Sequence, residues 1–294
     1  MKTAEKFATS RNLIQDGEYR VGIKALNGAD KQFDRVISIG DIHGCLESLT
    51  FLLNNLSLTE KDLLICVGDY VDRGPNAPGV IEYLLDLDQK YSCVFLRGNH
   101  DSMMLNYFGF GGIHGQYWCD KCNGGSTTLR QYDVSSMETK YAAREIYPNP
   151  LRQHILAKKI PESHMEFLEK TLMYFEMDHA FYSHAGFETN FGQYDDQTEE
   201  AYTWTREGFL MRSHAKALQK HVVHGHTINR PEHVPYYIEQ YKQINLDSGC
   251  FLSGTMSALI VNPAMNNMND SIFAVSNVSK NTFELEKVDG KYRK

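Results

Sequence analysis

Three short apolar runs in the first hundred residues each break, through a glycine, into charged or polar side chains: VISIGDIHG (36–44), LLICVGDYVDRGPN (63–76) and VFLRGNHD (94–101). Their β-branched and leucine-rich cores predict strands at Val36–Ile39, Leu63–Val67 and Cys93–Leu96. Between and after them, apolar residues recur at helical spacing in Cys45–Leu56 (CLESLTFLLNNL), Gly79–Leu87 and Asp101–Tyr107. Strands alternating with helices, each strand apolar almost throughout, predict parallel pairing in a sheet covered on both faces. Ligands of such sheets collect beyond the carboxyl ends of the strands, which is where all three runs place their polar residues.

The flanking sequence is patterned differently. Residues 1–33 are polar and weakly periodic, and read as an N-terminal extension with one short helix. Residues from about 108 to 163 are rich in glycine and aromatics and read as a cap inserted into a single domain spanning 34–294. Alternation resumes at Ala180–His184, with a helix expected near Gly208–Leu218 and a strand leading into His221–His226. The last seventy or so residues (PYYIEQYKQINLDSG, TMSALIV, SIFAVSN, TFELEKV) read as strands joined by turns. The expected class is α/β with a mostly β second half.

Composition narrows the partners. A chain of 294 residues with 42% hydrophobic and 23% charged residues can bury a full core. Its net charge of −7 argues against a broad basic face for nucleic acid, though a metal or a few arginines can reverse the sign locally. No segment has the apolar length of a signal peptide or a membrane span, so a cytoplasmic protein without membrane partners is expected. The six cysteines are scattered and read as reduced thiols. Cys119 and Cys122 form half a zinc-type spacing with no second pair to complete it.

The polar residues at the strand ends are Asp41, His43, Asp69, Asn99, His100, His184 and His226. Carboxylates, imidazoles and an amide without thiolates suit manganese, iron or zinc. A shared carboxylate such as Asp69 can hold two cations about 3.5–4 Å apart, the separation of two-metal hydrolysis. Any one of these residues alone reads more simply as a helix cap, a turn former or a hydrogen-bonded core histidine. Five strand ends each supplying metal-type groups have no such simple reading.

GDIHG, GDYVDRG, RGNHD, SHAG and HGHT, in this order over about residues 35–260, resemble the phosphoprotein phosphatase family of the calcineurin-like metallophosphoesterases, especially its bacterial and phage-type serine/threonine phosphatases. The resemblance implies a two-sheet β-sandwich flanked by helices, with two divalent metals, manganese first and iron or zinc as alternatives, at its edge. It implies Asp41 and His43 on one metal, Asp69 bridging, and Asn99, His184 and His226 on the other, with His224 packed behind. The implied reaction is phosphomonoester hydrolysis of a phosphorylated protein or small phosphoester, by direct attack of a hydroxide held between the metals. Arg73, Arg97, Arg206 and Asn99 would contact the phosphate. His100 would be the general acid, oriented by Asp72.

Two departures keep other readings open. Asp101 stands where the phosphatases usually carry Glu. Together with His-Ala-Gly at 184–186 and Asp-Ser-Gly-Cys at 247–250, it resembles the symmetrical diadenosine tetraphosphate hydrolases. Those commonly lack the residue equivalent to Asp72, so Asp72 and Gly-His-Thr at 225–227 favour the monoesterase. In the cap, Trp118 and NGGSTTLRQY (123–132) resemble a segment near the active-site mouth of bacterial members. Asn123 there is either a substrate contact or part of a glycine-rich turn. A catalytically silent, phosphoprotein-binding scaffold is a further alternative, but it should have lost a ligand or an arginine, and none is missing.

Overall fold

The computed structural model describes residues 8–13, 20–25, 32–142, 150–188, 197–206, 220–264 and 268–288. Within them lie two sheets. The larger has the spatial order β1 (Ala8–Leu13), β2 (Arg20–Ala25), β6 (Tyr174–Glu176), β7 (Ala180–Ser183), β8 (His221–His224), β10 (Gln243–Asn245), β9 (Tyr236–Ile238). The smaller has the order β13 (Thr282–Lys287), β12 (Ile272–Asn277), β11 (Thr255–Val261), β3 (Arg35–Ile39), β4 (Asp62–Cys66), β5 (Ser92–Phe95). The described helices are α1 (Leu46–Leu56), α2 (Ala77–Lys90), α3 (Asn99–Phe108), α4 (Gly125–Gln131), α5 (Ser136–Ala142), α6 (Pro150–Ala157), α7 (Glu162–Glu169), α8 (Glu199–Trp204) and α9 (Cys250–Ser253).

The pleat explains why β3, β4 and β5 are apolar on both faces. Val36, Leu63, Ile65 and Val94 point toward the larger sheet and pack with Phe175, Tyr182, Val223 and Ile244. Ile37, Ile39, Leu64, Cys66 and Phe95 point the other way, onto a helical layer. There α1 presents Leu49, Leu52, Leu53 and Leu56, and α2 presents Val80, Ile81, Leu84 and Leu87, the spacing of a single helical face. Asn76 caps α2 by accepting from the Gly79 amide at 2.9 Å. A sandwich flanked by helices is therefore the observed architecture.

Register brings the strand ends level. Ile39 pairs with Cys66 and Cys66 with Phe95 across parallel β3, β4 and β5. In the larger sheet β7, β8 and β10 are also parallel, with Tyr182 opposite Val223 and Asn245 opposite His224. Two parallel triplets thus point their carboxyl ends at one edge of the sandwich. Within the smaller sheet, parallel pairing is confined to β3, β4 and β5: β11, β12 and β13 join them antiparallel.

Two expectations change. Within residues 1–33 the described segments form β1 and β2 in place of a short helix, and β2 pairs in parallel with β6. Alternation there is masked because Arg, Lys and Gly interrupt the apolar positions. The helix expected near Gly208–Leu218 lies outside the described residues.

Arg35 ties the start of the fold together. Its guanidinium donates to both Asp62 oxygens, at 2.8 and 2.6 Å, and to the Leu56 and Ser57 carbonyls at the end of α1, each at 3.2 Å. Burial alone would raise the Asp62 carboxyl, but Arg35 and the Thr59 amide hold it below its ordinary value. A depressed carboxylate stabilises the fold above its unfolded pKa of about 3.9 and loses that contribution as pH falls below it. Because Arg35 is partly exposed, Asp62→Asn is expected to cost about 1–2 kcal/mol in urea unfolding at neutral pH. The gap between wild type and variant should hold down to about pH 4 and narrow below it.

Candidate metal and phosphate site

Six strand ends meet at the edge where the triplets point. Asp41 and His43 follow β3, Asp69 follows β4, Asn99 opens α3 after β5, His184 follows β7, His226 follows β8 and Asp247 follows β10. All seven are nearly buried. Close backbone approach makes this possible: a Cβ on Gly225 would collide with an Asp41 carboxylate oxygen, and one on Gly98 with Asp69. Several site residues also sit in the left-handed region, His43 (φ 45°), Asp69 (56°), Asp72 (72°), Arg73 (64°) and His226 (66°). Each costs roughly 1 kcal/mol or more, so the surroundings must impose it. Asp101 does so for the β4 turn, accepting the amides of Asp69 (2.8 Å), Gly98 (2.9 Å) and Tyr70 (2.9 Å).

Hydrogen bonds around the rings indicate which nitrogen carries the lone pair. His43 Nδ1 lies 2.8 Å from the Val71 carbonyl and His184 Nδ1 lies 3.0 Å from that of Val67. Each Nδ1 must therefore be the donor, which leaves Nε2 as an acceptor. His43 Nε2 then faces Asp69 Oδ2 at 3.3 Å, and His184 Nε2 faces Asn99 Oδ1 at 3.1 Å and Asp69 Oδ2 at 3.5 Å. His226 Nδ1 is 2.9 Å from the same Asn99 oxygen, while its buried Nε2 has no hydrogen-bond partner among the described residues.

Acceptor facing acceptor at these distances is unfavourable unless a cation lies between. The carboxylates add to the mismatch. Burial, then the nearby charges of Asp247 and Asp69, push Asp41 well above the carboxylate range. Burial lowers His184 to about 4 and His226 well below the ordinary imidazole value, so both rings are neutral and able to ligate.

Ligand atoms of Asp41, Asp69 and His184 all lie within 4.8 Å of one another, as do those of His43, Asp69 and His100. Asp69 belongs to both groups, but Asp41 falls with His184 and His43 with His100, whereas the resemblance implied Asp41 and His43 together. The residues present fit divalent cations.

Beside this cluster stands a second unit. His100 donates its backbone amide to Asp69 Oδ1 at 3.0 Å, and its Nδ1 meets Asp72 Oδ2 at 2.7 Å. Thr128 accepts the Asp72 amide at 2.9 Å and so turns its hydroxyl onto Asp72 Oδ1 at 2.6 Å. Trp118 Nε1 donates to both Asp72 oxygens at 3.0 Å. Three side-chain donors converge on one carboxylate and favour its anion, against burial that pushes it up to about 7. Burial holds His100 well below the usual imidazole value.

A cavity of about 600 Å³ opens over His226 and Thr227. Arg73 enters it, donating to His43 Nε2 at 3.0 Å with its guanidinium 4.9 Å above the Phe251 ring. Arg206 enters from the other side, bonded to the His226 carbonyl (3.3 Å) and the Thr227 hydroxyl (3.2 Å). Lys121, Arg230 and Leu252 complete much of its wall.

Arg97 is placed otherwise than expected. It is 2% exposed and does not line the cavity. It donates to the Glu169 and Leu168 carbonyls at the end of α7 (2.9 and 3.3 Å) and to Thr171 (3.0 Å), and lies 3.5 Å from Glu199. It braces the cap, because the last carbonyls of α7 need donors. Asn123 likewise turns inward, donating to the Tyr117 carbonyl at 2.7 Å.

Asp101 is consumed by backbone amides and contacts no cavity wall, and His224 is buried with Nδ1 3.0 Å from the Gly225 carbonyl. Cys119 is buried in the core while Cys122 is exposed at the cavity, so the two thiols face different surroundings. Sequence reasoning assigned no role to Thr128 or Phe251, or to Asp247 beside Asp41. INLDSG repeats the grammar of apolar run, aspartate and glycine and could have flagged Asp247. Nothing local marks the other two.

Residues 34–246 match the calcineurin-like phosphoesterase family. An asymmetrical bis(5'-nucleosyl)-tetraphosphatase of Halalkalibacterium halodurans is 25% identical over 249 residues, covering 78% of this chain and 89% of its own. A symmetrical bis(5'-nucleosyl)-tetraphosphatase of Pseudomonas syringae pv. syringae is 42% identical over 71 residues, 24% of each chain. Among solved structures, a cold-active protein-tyrosine phosphatase of a psychrophilic Shewanella shares the fold with TM-score 0.56 at 14% identity, covering 95% of this chain and 89% of that one. A candidate diadenosine tetraphosphatase shares it with TM-score 0.53 at 20% identity, covering 92% and 98%.

If the buried lone pairs await cations, adding Mn²⁺ to metal-stripped protein should raise its thermal midpoint. Saturation at a hundredfold excess over Kd corresponds to about 2.7 kcal/mol. Asp69→Asn, which removes the shared carboxylate, should abolish most of that rise while folding normally by circular dichroism. An equal rise in the variant would place the ions elsewhere.

Proposed function

The chain belongs to the calcineurin-like phosphoesterase family, and on that premise we propose that it is a metal-dependent hydrolase of dinucleoside polyphosphates. The observation that carries the hydrolytic reading is the His100–Asp72 pair set against the Asp69 carboxylate that joins both ligand groups. Two features favour a polyphosphate substrate. The cavity, about 600 Å³, is of the size that holds a drug-sized ligand and far exceeds one phosphoryl group. The similarity to proteins named for tetraphosphatase activity extends over most of both chains.

Asp41, His43, Asp69, Asn99, His184 and His226 would hold two divalent cations, manganese first and iron or zinc as alternatives. Bound there, the cations would supply a water deprotonated at neutral pH and neutralise charge on the phosphoryl oxygens. Arg73 and Arg206 would clamp the phosphoryl oxygens from two sides of the cavity. His100, neutral at rest with Nδ1–H on Asp72, would receive at Nε2 the proton that this water gives up and pass it to the leaving oxygen. Asp72 compensates the transient imidazolium, and Trp118 and Thr128 fix the orientation of Asp72.

A phosphoserine or phosphothreonine phosphatase is the second reading, and the same His100–Asp72 pair favours it. A serine alkoxide is a far more basic leaving group than a nucleotide phosphate, so it depends more on a proton donor. The two are separated by kcat/KM for diadenosine tetraphosphate and a phosphoserine peptide, measured side by side with Mn²⁺. The first should be the larger; a reversed order would make the chain a protein phosphatase. With either substrate order, His100→Asn should lower kcat on the phosphopeptide by about 10²–10⁴-fold, and on the dinucleotide by much less.

The Asp72 environment sets a pH dependence. Below about pH 7 the carboxyl is protonated and cannot accept the His100 Nδ1 proton, so turnover should rise with pH through that value. Thr128→Val removes a donor that favours the anion, and should move the midpoint of the kcat profile to higher pH. An unmoved midpoint would detach Asp72 from that titration.

A further inference from the structure

Arg230 and Lys121 reach the cavity from separate parts of the chain, the loop after β8 and the cap segment before α4. With Arg73 and Arg206 they make four cationic side chains in a cavity wall that, among the described residues, contains no carboxylate. The whole chain carries a net charge of −7, so this concentration of positive charge runs against its composition. Arg73 and Arg206 hydrogen-bond to groups of the strand-end cluster. Arg230 and Lys121 do not: both are exposed, and among the described residues neither has a carboxylate partner. Beside them the wall is apolar, with Ile228 and a Leu252 that is 55% exposed.

We propose that Arg230 and Lys121 form a second anion subsite, which takes the phosphate groups of a polyphosphate chain beyond the one attacked. This rests on the dinucleotide reading above and assigns the residues that would set the preference. A single phosphoryl group is satisfied at Arg73 and Arg206 and leaves the second pair of cations unused. A polyphosphate carries charge on every unit, and so engages both pairs at once. Inorganic polyphosphates and nucleoside polyphosphates share this chemistry, and separate substrates tell them apart.

The test uses Arg230→Ala, Lys121→Ala and the double variant, with Lys170→Ala on a remote helix end as a control for net charge. Diadenosine tetraphosphate and 4-nitrophenyl phosphate serve as substrates, and inorganic tripolyphosphate and phosphate as competitive inhibitors of the second. In the double variant KM for the dinucleotide should rise about tenfold, with kcat within about twofold of wild type. The tripolyphosphate Ki should rise in parallel, while the phosphate Ki and the KM for 4-nitrophenyl phosphate stay near their wild-type values. Arg230→Lys should recover part of the loss.

If KM for the dinucleotide and Ki for tripolyphosphate are both unchanged, the subsite does not exist, whatever the enzyme hydrolyses. Equal weakening of the monoester, or of the Lys170 control, also overturns it, since a diffuse charge effect would then suffice. Should the protein not turn over the dinucleotide at all, the function reading fails alone. The tripolyphosphate Ki still decides the subsite, a rise supporting it and no change removing it. A weakened tripolyphosphate with an unaltered dinucleotide KM would assign the subsite to inorganic polyphosphate.

Discussion

The working edge of this molecule is governed by one electrostatic mismatch. Asp41, Asp69 and Asp247 are brought out of water at the ends of β3, β4 and β10, and imidazole lone pairs are aimed into the same space. Like charges and facing acceptors in a buried place repel, and among the described residues no lysine ammonium pairs with them. The sandwich tolerates this because its hydrophobic layers lie between and behind the sheets, away from the edge. Stability is thus built in one region and spent at another, and the donor set of the second region is one that divalent cations would satisfy.

The segment from Trp118 to Gln131 acts on the site through Asp72. Its helix α4 and the turn before it place Thr128 and Trp118 on the carboxylate, and Gln131 on both sides of the following turn: Gln131 donates to the Gly74 carbonyl and accepts the Ala77 amide. Gly124 lies so close under Arg73 that a Cβ would come within 2.8 Å of the Arg73 amide. Thr128, Trp118, Gln131 and Gly124 therefore hold Asp72 and the turn around Arg73, and touch none of the strand-end residues directly. Arg97 belongs to the same arrangement from the other end, holding α7 against Glu199 of α8.

Asp101 shows how a change of residue can matter without touching substrate. Its short side chain gathers three amides and imposes the left-handed turn at Asp69. As a marker of dinucleotide specificity it has no direct route to a ligand, being wholly buried. Its effect is on the backbone at the strand end, not on the cavity wall, which it does not line.

The strands β3, β4 and β5, the helices between them and the placing of Asp41, His43, Asp69, Asn99, His184 and His226 at the ends of strands could be read from the chain alone, because local forces dictate them. An apolar β-branched run must be buried, a glycine must turn it, and the polar residues after that glycine must sit at the strand end. Tertiary structure alone decided which side chains meet across long separations. Thr128 and Trp118 reach Asp72 over 56 and 46 residues, and Arg97 turns to α7 over 71 or 72. Hydrogen-bond competition of this kind leaves no periodic trace, since helix-end carbonyls without intrahelical donors can claim an arginine that the local sequence would offer to a ligand. For the same reason β1 and β2 emerge only in the fold, where β2 pairs with β1 on one side and with β6 on the other.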